Sequence, residues 1–475
     1  MDFLKINNFI DVFHRCDFSA RVLGVFYFCS VLIVSLLLAI LVPPFENSDE
    51  FNHFNRVYQI SSGKMIAFRT GHPAQSGGVV DLGINKLDDI YSSIRFHADV
   101  KVTSSMMERG NAVLIGEKGF QSFPNTAIYS PLLYLPAVMG LDAARFSGVH
   151  RVKWALITSR MTTAIVCVSL ASIAIALSGS AAIFLAVFLS LPMTISLFSS
   201  VSQDGLIICF STLSFVFLCR FLHFVPSRLK GKEDLVLFYS FLSLSVLGRP
   251  AYAPLLLLPF FTQNSFKNKF NFFCFFISIS FVAFWMLLVH FFVMIPMWDQ
   301  TSPGKQVYNL ITHPRLVPEL IEHAFTDHQG MESLPFWKEV IGVVGWIDTV
   351  MPEWFYITAL FVFVFSLIFV GQLRLKIDSY IRLRFGVAFL LLASVSLVFF
   401  LEYLTFTPVG QNFIVGVQGR YFLPLLPFLP FIILGYDGSV IKSRIRTIML
   451  ALSPGWIVVS SVVLLYSVLS RYYVM

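Results

Sequence analysis

The chain predicts an all-α polytopic membrane protein of about eleven crossings, with two large extracytoplasmic loops carrying interfacial helices. Three observations carry that expectation. Of 475 residues, 56% are hydrophobic and only 13% charged, with 52 Phe, a balance outside the range of ordinary water-soluble domains. Apolar runs recur at about the 20 residues a helix needs to cross a bilayer. Lysine and arginine gather in the short connections between those runs, the bias that keeps basic segments on the cytoplasmic side. The formal charge of +7 is accounted for by that bias, which excludes a nucleic-acid partner. The six cysteines (16, 29, 167, 209, 219 and 274) lie in apolar runs or on the cytoplasmic side, so no disulfide framework is implied.

Lys5, Arg15 and Arg21 precede the first apolar run, which extends to Val42 and is too long for a cleaved signal, so it reads as a retained signal-anchor helix over 21–42. Pro43 and Pro44 end it, because proline removes a donor and disfavours the helical region before it. Residues 44–153 form a first outer loop with turn clusters such as Gly71-His72-Pro73. Within it, 128–147 is short and broken by Pro131 and Pro136. If it crossed, the basic connection from Arg220 to Lys232 would fall outside, so it reads as an interfacial or re-entrant helix.

Crossings two to seven follow within 154–294, over about 154–177, 180–199, 205–222, 235–248, 251–263 and 271–294. Residues 295–352 form a second outer loop with Trp298, Asp299, His313, His323, Asp327, His328 and Asp348, its histidines read as solvated loop residues. The last four crossings lie in 353–475 and leave Arg374, Lys376, Lys442 and Arg444 inside. Residues 1–43 supply the cytoplasmic N-terminus and first helix.

This topology brings distant polar features to one face: Asp49, Glu50, His53 and Arg56 after the first helix, Asp204, Arg249, and Gln418-Gly419-Arg420-Tyr421. Ionised groups are expensive at a membrane and mark working sites more often than decoration. Acids beside arginines suit a substrate carrying phosphate, since arginine pairs with phosphate oxygens and a carboxylate accepts a proton. Each feature also has a plainer reading. Asn47 with Glu50 forms a capping-box pattern that would make Glu50 structural, which favours Asp49 as the chemical group. Asp204 opens a helix, where an acid favours the dipole, and Arg249 and Arg420 are placed to snorkel toward headgroups. Arg160, inside the second crossing, needs protein or a lipid phosphate for its charge. Glu50-x-x-His53 has a metal-half-site spacing, a weak signal as one isolated copy, so no cofactor is expected, with a divalent metal as the minor alternative.

The stretches Pro43 to Gly63, Tyr129 to Pro136, Ser202-Gln203-Asp204 and Gln418 to Pro424 resemble a bacterial membrane family catalogued as domain of unknown function 2142, itself similar to the GT-C superfamily of glycosyltransferases. The resemblance implies a GT-C-like helical bundle in the bacterial inner membrane, with its site facing the periplasm. It implies an inverting transferase that moves a sugar from a polyprenyl-phosphate donor to a cell-envelope glycan or glycolipid acceptor, O-antigen of lipopolysaccharide among them. The first-loop acid, Asp49 or Glu50, would be the base and Asp204 a second acid. Phe51 stands where the family usually has proline, which leaves the choice between the two acids open. Arg420, Arg249 and Arg160 would bind donor phosphate, and His53, Arg56, Gln418 and Tyr421 the substrate. A lipid-linked-sugar flippase or transporter, or a surface-polysaccharide ligase or polymerase, would use similar groups. Transporters often carry repeated halves, and no internal repeat is present here.

Overall fold

The computed structural model describes residues 18–224, 231–262, 268–298, 300–326, 335–368, 370, 377–433 and 443–474. The expected basic or polar positions Lys5, Arg15, Asp299, Asp327, His328, Arg374, Lys376 and Lys442, and Cys16, lie outside the described residues. The protein is mostly helical. Among the described residues six helices are long and apolar enough to cross a membrane, or seven if one bent pair counts as a single span.

The first helix, α1 (Phe18–Leu41), stops just before Pro43-Pro44, and the chain turns into α2 (Glu50–Ser61). The short helix α3 (Leu135–Phe146) then runs beside the start of α4 (Val152–Leu177). Only glycine permits that approach: a Cβ at Gly140 would lie 2.5 Å from the Thr158 carbonyl oxygen and 2.7 Å from Ser159 Cα. The other side of the 128–147 segment leaves Leu132, Leu135, Met139 and Phe146 exposed. Its 12-residue helix is shorter than a crossing requires.

Three expected crossings take other forms, each for a proline reason. The run 180–199 is broken into α5 (Ala182–Leu189) and α6 (Pro192–Phe198), bent by 82° where Pro192 cannot continue the hydrogen-bond ladder. The run 251–263 is a 3-10 helix over Pro250–Phe261, with Pro254 and Pro259 inside it. The piece after Gln418 is likewise a 3-10 helix over Gly419–Phe428, holding Pro424 and Pro427, followed by a short helix Pro430–Ile433. Besides α1 and α4, the long helices are α7 (Asp204–Phe221), α9 (Lys269–Phe292), α12 (Ile377–Thr405) and α13 (Ser443–Tyr472). Between them lie α8 (Lys232–Gly248), α10 (Phe336–Gly342) and α11 (Glu353–Ile368).

The first loop holds more than helices. A three-stranded antiparallel sheet, ordered β1 (Phe68–Thr70), β2 (Gln75–Asp81) and β3 (Lys118–Ser122), pairs Phe68 with Gly77 and Val79 with Phe120. The second loop closes with a small hairpin, β4 (Val343–Val344) and β5 (Thr349–Val350). The end of α13 ties both loops together: the Arg471 guanidinium donates to Val100 O at 3.0 Å, Ile94 O at 2.8 Å and Asp348 Oδ2 at 2.7 Å. The described cysteines, Cys29, Cys167, Cys209, Cys219 and Cys274, are free thiols.

Candidate functional site

The turn after Pro44 places two neighbouring acids in opposite surroundings. Asp49 is the residue before α2 and sits in the left-handed region, with φ 60° and ψ 4°. Its side chain does not cap the helix, which frees the carboxylate for other partners. Oδ2 accepts from Arg420 Nη2 at 2.7 Å and Oδ1 from Asn125 Nδ2 at 3.3 Å. The Asp49 side chain is 29% exposed.

Glu50 is fully enclosed. Its carboxylate pairs with Arg160 through Nε at 2.8 Å and also through Nη2, and accepts from the Val201 N–H at 2.9 Å and Asn47 Nδ2 at 3.2 Å. The capping box expected of Asn47 and Glu50 is not formed: Asn47 donates its amide to the Glu50 carboxylate, and Asp49 is the cap position. The remaining Arg160 donors go to the carbonyls of Ala39, Val42 and Pro43, which uses every N–H of the guanidinium. Arg160 therefore has nothing left for a donor phosphate. The pair instead stitches the end of α1, the start of α2 and the interior of α4 at 1% and 0% side-chain exposure.

Around Arg420 the charges alternate. Besides Asp49, Arg420 Nε lies 3.6 Å from Asp204 Oδ2. Asp204 Oδ1 is 3.9 Å from Arg249 Nη2, and Arg249 Nη1 is 3.6 Å from Glu402 Oε1. Tyr421 packs between the two arginines, its ring centroid 3.4 Å from the Arg249 guanidinium carbon and 5.6 Å from that of Arg420. Tyr252 steadies it by donating to the Tyr421 carbonyl at 2.6 Å. The three acids Asp49, Asp204 and Glu402 outnumber the two arginines, and Asp49 is the most open of the five. Gln418 immediately precedes the 3-10 turn that carries Arg420 and lines a small polar cavity beside it.

A family model described as "Predicted membrane protein (DUF2142)" matches residues 32–429. The chain belongs to that family. The DUF2142 match spans all five charged residues of the cluster, from Asp49 to Arg420. No curated protein and no solved structure matches the chain.

Two of the anticipated substrate contacts of this DUF2142 protein face inward. His53 is 3% exposed, with Nδ1 2.7 Å from the Tyr134 hydroxyl, which in turn donates to Gln203 Oε1 at 2.9 Å. Burial pushes its imidazole down to about 4, against the upward pull of Asp49 and Asp204, so it stays neutral at ordinary pH. Arg56 is fully buried and donates to Gln59 Oε1 at 2.6 Å, Met65 O at 2.8 Å and Tyr129 O at 3.2 Å. Desolvation lowers it to about 10, which leaves it charged. Both side chains brace α2 against the first loop, His53 through Tyr134 and Arg56 through Met65 and Tyr129.

Glu50 and His53, each engaged elsewhere, do not form the half-site their spacing suggests. Among the described residues no three His, Cys, Asp or Glu side chains are gathered closely enough to hold a metal ion. The residue missed from the sequence is Glu402. Its signal is the single charge in the apolar run 385–405, which is costly unless paired.

Proposed function

We propose that the chain is an inverting glycosyltransferase of the bacterial inner membrane, taking a sugar from a polyprenyl-phosphate donor to a hydroxyl of a cell-envelope glycan or glycolipid. Lipopolysaccharide O-antigen is one acceptor of that class. In this reading the chain crosses the membrane about eleven times and its charged cluster opens to the periplasm, the face opposite the basic connections. The observation that carries the proposal is the Asp49–Arg420 pair, an acid with free lone pairs hydrogen-bonded to an arginine at 2.7 Å on the open side of a buried charge cluster.

The chemistry follows from those groups. Asp49 takes the proton of the acceptor hydroxyl as its oxygen bonds to the anomeric carbon. The bond from that carbon to the phosphate oxygen breaks on the opposite face, and the electron pair leaves with the polyprenyl phosphate. Arg420, with Arg249 behind it, stabilises the departing phosphate charge. One base suffices for inversion, and no nucleophilic carboxylate is needed. Asp204 and Glu402 hold the two arginines in place, a role Glu50 does not share because it is sealed against Arg160.

The test is transfer of labelled sugar from polyprenyl-phosphate donors by the purified protein in lipid nanodiscs, offered a panel of acceptors. Wild-type transfer that vanishes in Asp49→Asn, with unchanged insertion and thermal unfolding, is the expected result. Full turnover by the purified variant would falsify Asp49 as the base.

A further inference from the structure

The segment 335–350 of the second outer loop touches the residues next to both members of the Asp49–Arg420 pair. Glu339 in α10 accepts the Gly419 N–H on Oε2 at 2.7 Å, one residue before Arg420. Gly345, in the hairpin that follows, accepts from Ser48 Oγ at 2.5 Å, one residue before Asp49. Trp346 donates its indole N–H to the Phe45 carbonyl at 3.0 Å, gripping the same turn again. The approach on the arginine side is as close as backbone allows: a Cβ on Gly419 would lie 2.4 Å from Glu339 Cβ and 2.7 Å from Val340 N. Between the segment and the rest of the protein lies a polar cavity of about 20 Å³ lined by Ser48, Ser196, Ser200, Glu339 and Arg420. That space suits about one water molecule, and the segment's contacts with positions 419, 48 and 45 are direct hydrogen bonds.

We infer that residues 335–350 are a positioning strap, and that Glu339 is the positioning residue that sets Arg420 against Asp49. The inference rests on the reading of Asp49 and Arg420 as the working pair. The two residues come from opposite ends of the sequence, and no covalent neighbour fixes their separation. The strap supplies that by hydrogen-bonding to the backbone at 419 and the side chain at 48. A shift of about 1 Å in such a pair costs on the order of a hundredfold in rate.

The experiment compares wild type, Glu339→Gln, Glu339→Ala and Gly419→Ala in nanodiscs by two readouts. The first is amide hydrogen exchange over 418–421, which needs no substrate. Glu339→Ala should speed exchange there about fivefold to tenfold, the factor that one lost hydrogen bond represents, whereas the amide oxygen of Gln should keep it slow. Unchanged exchange in Glu339→Ala overturns the strap. The second is sugar transfer, where Glu339→Ala and Gly419→Ala should lower kcat at least tenfold with little change in KM, and Glu339→Gln should restore most of it. Faster exchange with unchanged kcat overturns the positioning role. Absence of transfer in wild type, together with Glu339-dependent protection of residues 418–421, would instead overturn the glycosyltransferase reading and leave the strap standing.

Discussion

Asp49 and Glu50 are adjacent in sequence, each pairs with an arginine, and the two pairs have opposite characters. Glu50 and Arg160 are sealed, at 0% and 1% side-chain exposure, and every guanidinium N–H is used. Asp49 and Arg420 share one close hydrogen bond at 2.7 Å, and Asp49 keeps an open side. A saturated buried pair holds elements in register and is costly to break by halves. An unsaturated pair with one exposed member has capacity for a third group. Burial and hydrogen-bond saturation distinguish the two pairs where residue type does not, since both are an acid and an arginine.

The contrast breaks most visibly in paired substitutions. Asp49→Asn should cut sugar transfer by roughly 10²-fold to 10⁴-fold, with little change in the unfolding midpoint. Glu50→Gln should do the reverse in kind, leaving a buried charge without its counter-ion and destabilising the protein by about 3–5 kcal/mol, read as an earlier thermal transition in detergent. If Glu50→Gln unfolds like wild type and only transfer is lost, the structural assignment of Glu50 fails. Next in size, Arg420→Lys keeps the charge but loses the planar fork that spans Asp49 and Asp204, and should lower transfer about tenfold. Arg160→Lys should leave several carbonyls unpaired and appear in stability instead.

A third acid of the same turn sharpens the comparison at the smallest scale. Glu46 is fully buried, and neither carboxylate oxygen has a hydrogen-bond partner in the protein. Burial pushes it from 4.5 up to about 8, although Arg95 at 3.8 Å pulls the other way. An acid raised on folding holds a proton that the unfolded chain releases, so stability should fall as pH climbs from about 4.5 to about 8. Glu46→Gln should remove that part of the slope in a series of unfolding midpoints, and a wild-type slope in the variant would contradict it.

Much of this arrangement was legible in the chain. Apolar length located α1, α4, α7 and α9, and assigning one face to Asp49, Asp204, Arg249 and Arg420 anticipated residues that prove to be in contact. What stayed hidden depends on direction rather than composition. Whether Glu50 turns toward Arg160 or toward open space is decided by the left-handed turn at Asp49, which no periodicity announces. The segments after Arg249 and Gln418 read as α-helices because their prolines sit inside runs that stay apolar overall, and the structure winds them as 3-10 helices instead. Strand β2, Gln-Ser-Gly-Gly-Val-Val-Asp, lacks the alternation of a half-buried strand, so the first-loop sheet had no signature. Glu402 carries little sequence signal, because a single acid barely changes an apolar run.

The backbone at Asp49 also limits which replacements the turn can accept. With φ at 60°, the position suits glycine, asparagine and aspartate, and most other side chains crowd the following carbonyl there at a cost of about 1–2 kcal/mol. Alanine at 49 would therefore confound lost chemistry with a strained turn, while asparagine keeps the geometry and removes only the carboxylate. Reversing the two acids to Glu-Asp would misfit both places at once, because the shorter side chain could no longer span to Arg160 and the longer one would overreach Arg420. In that sense the order of these two letters, and not merely their charge, is part of the specification of the fold.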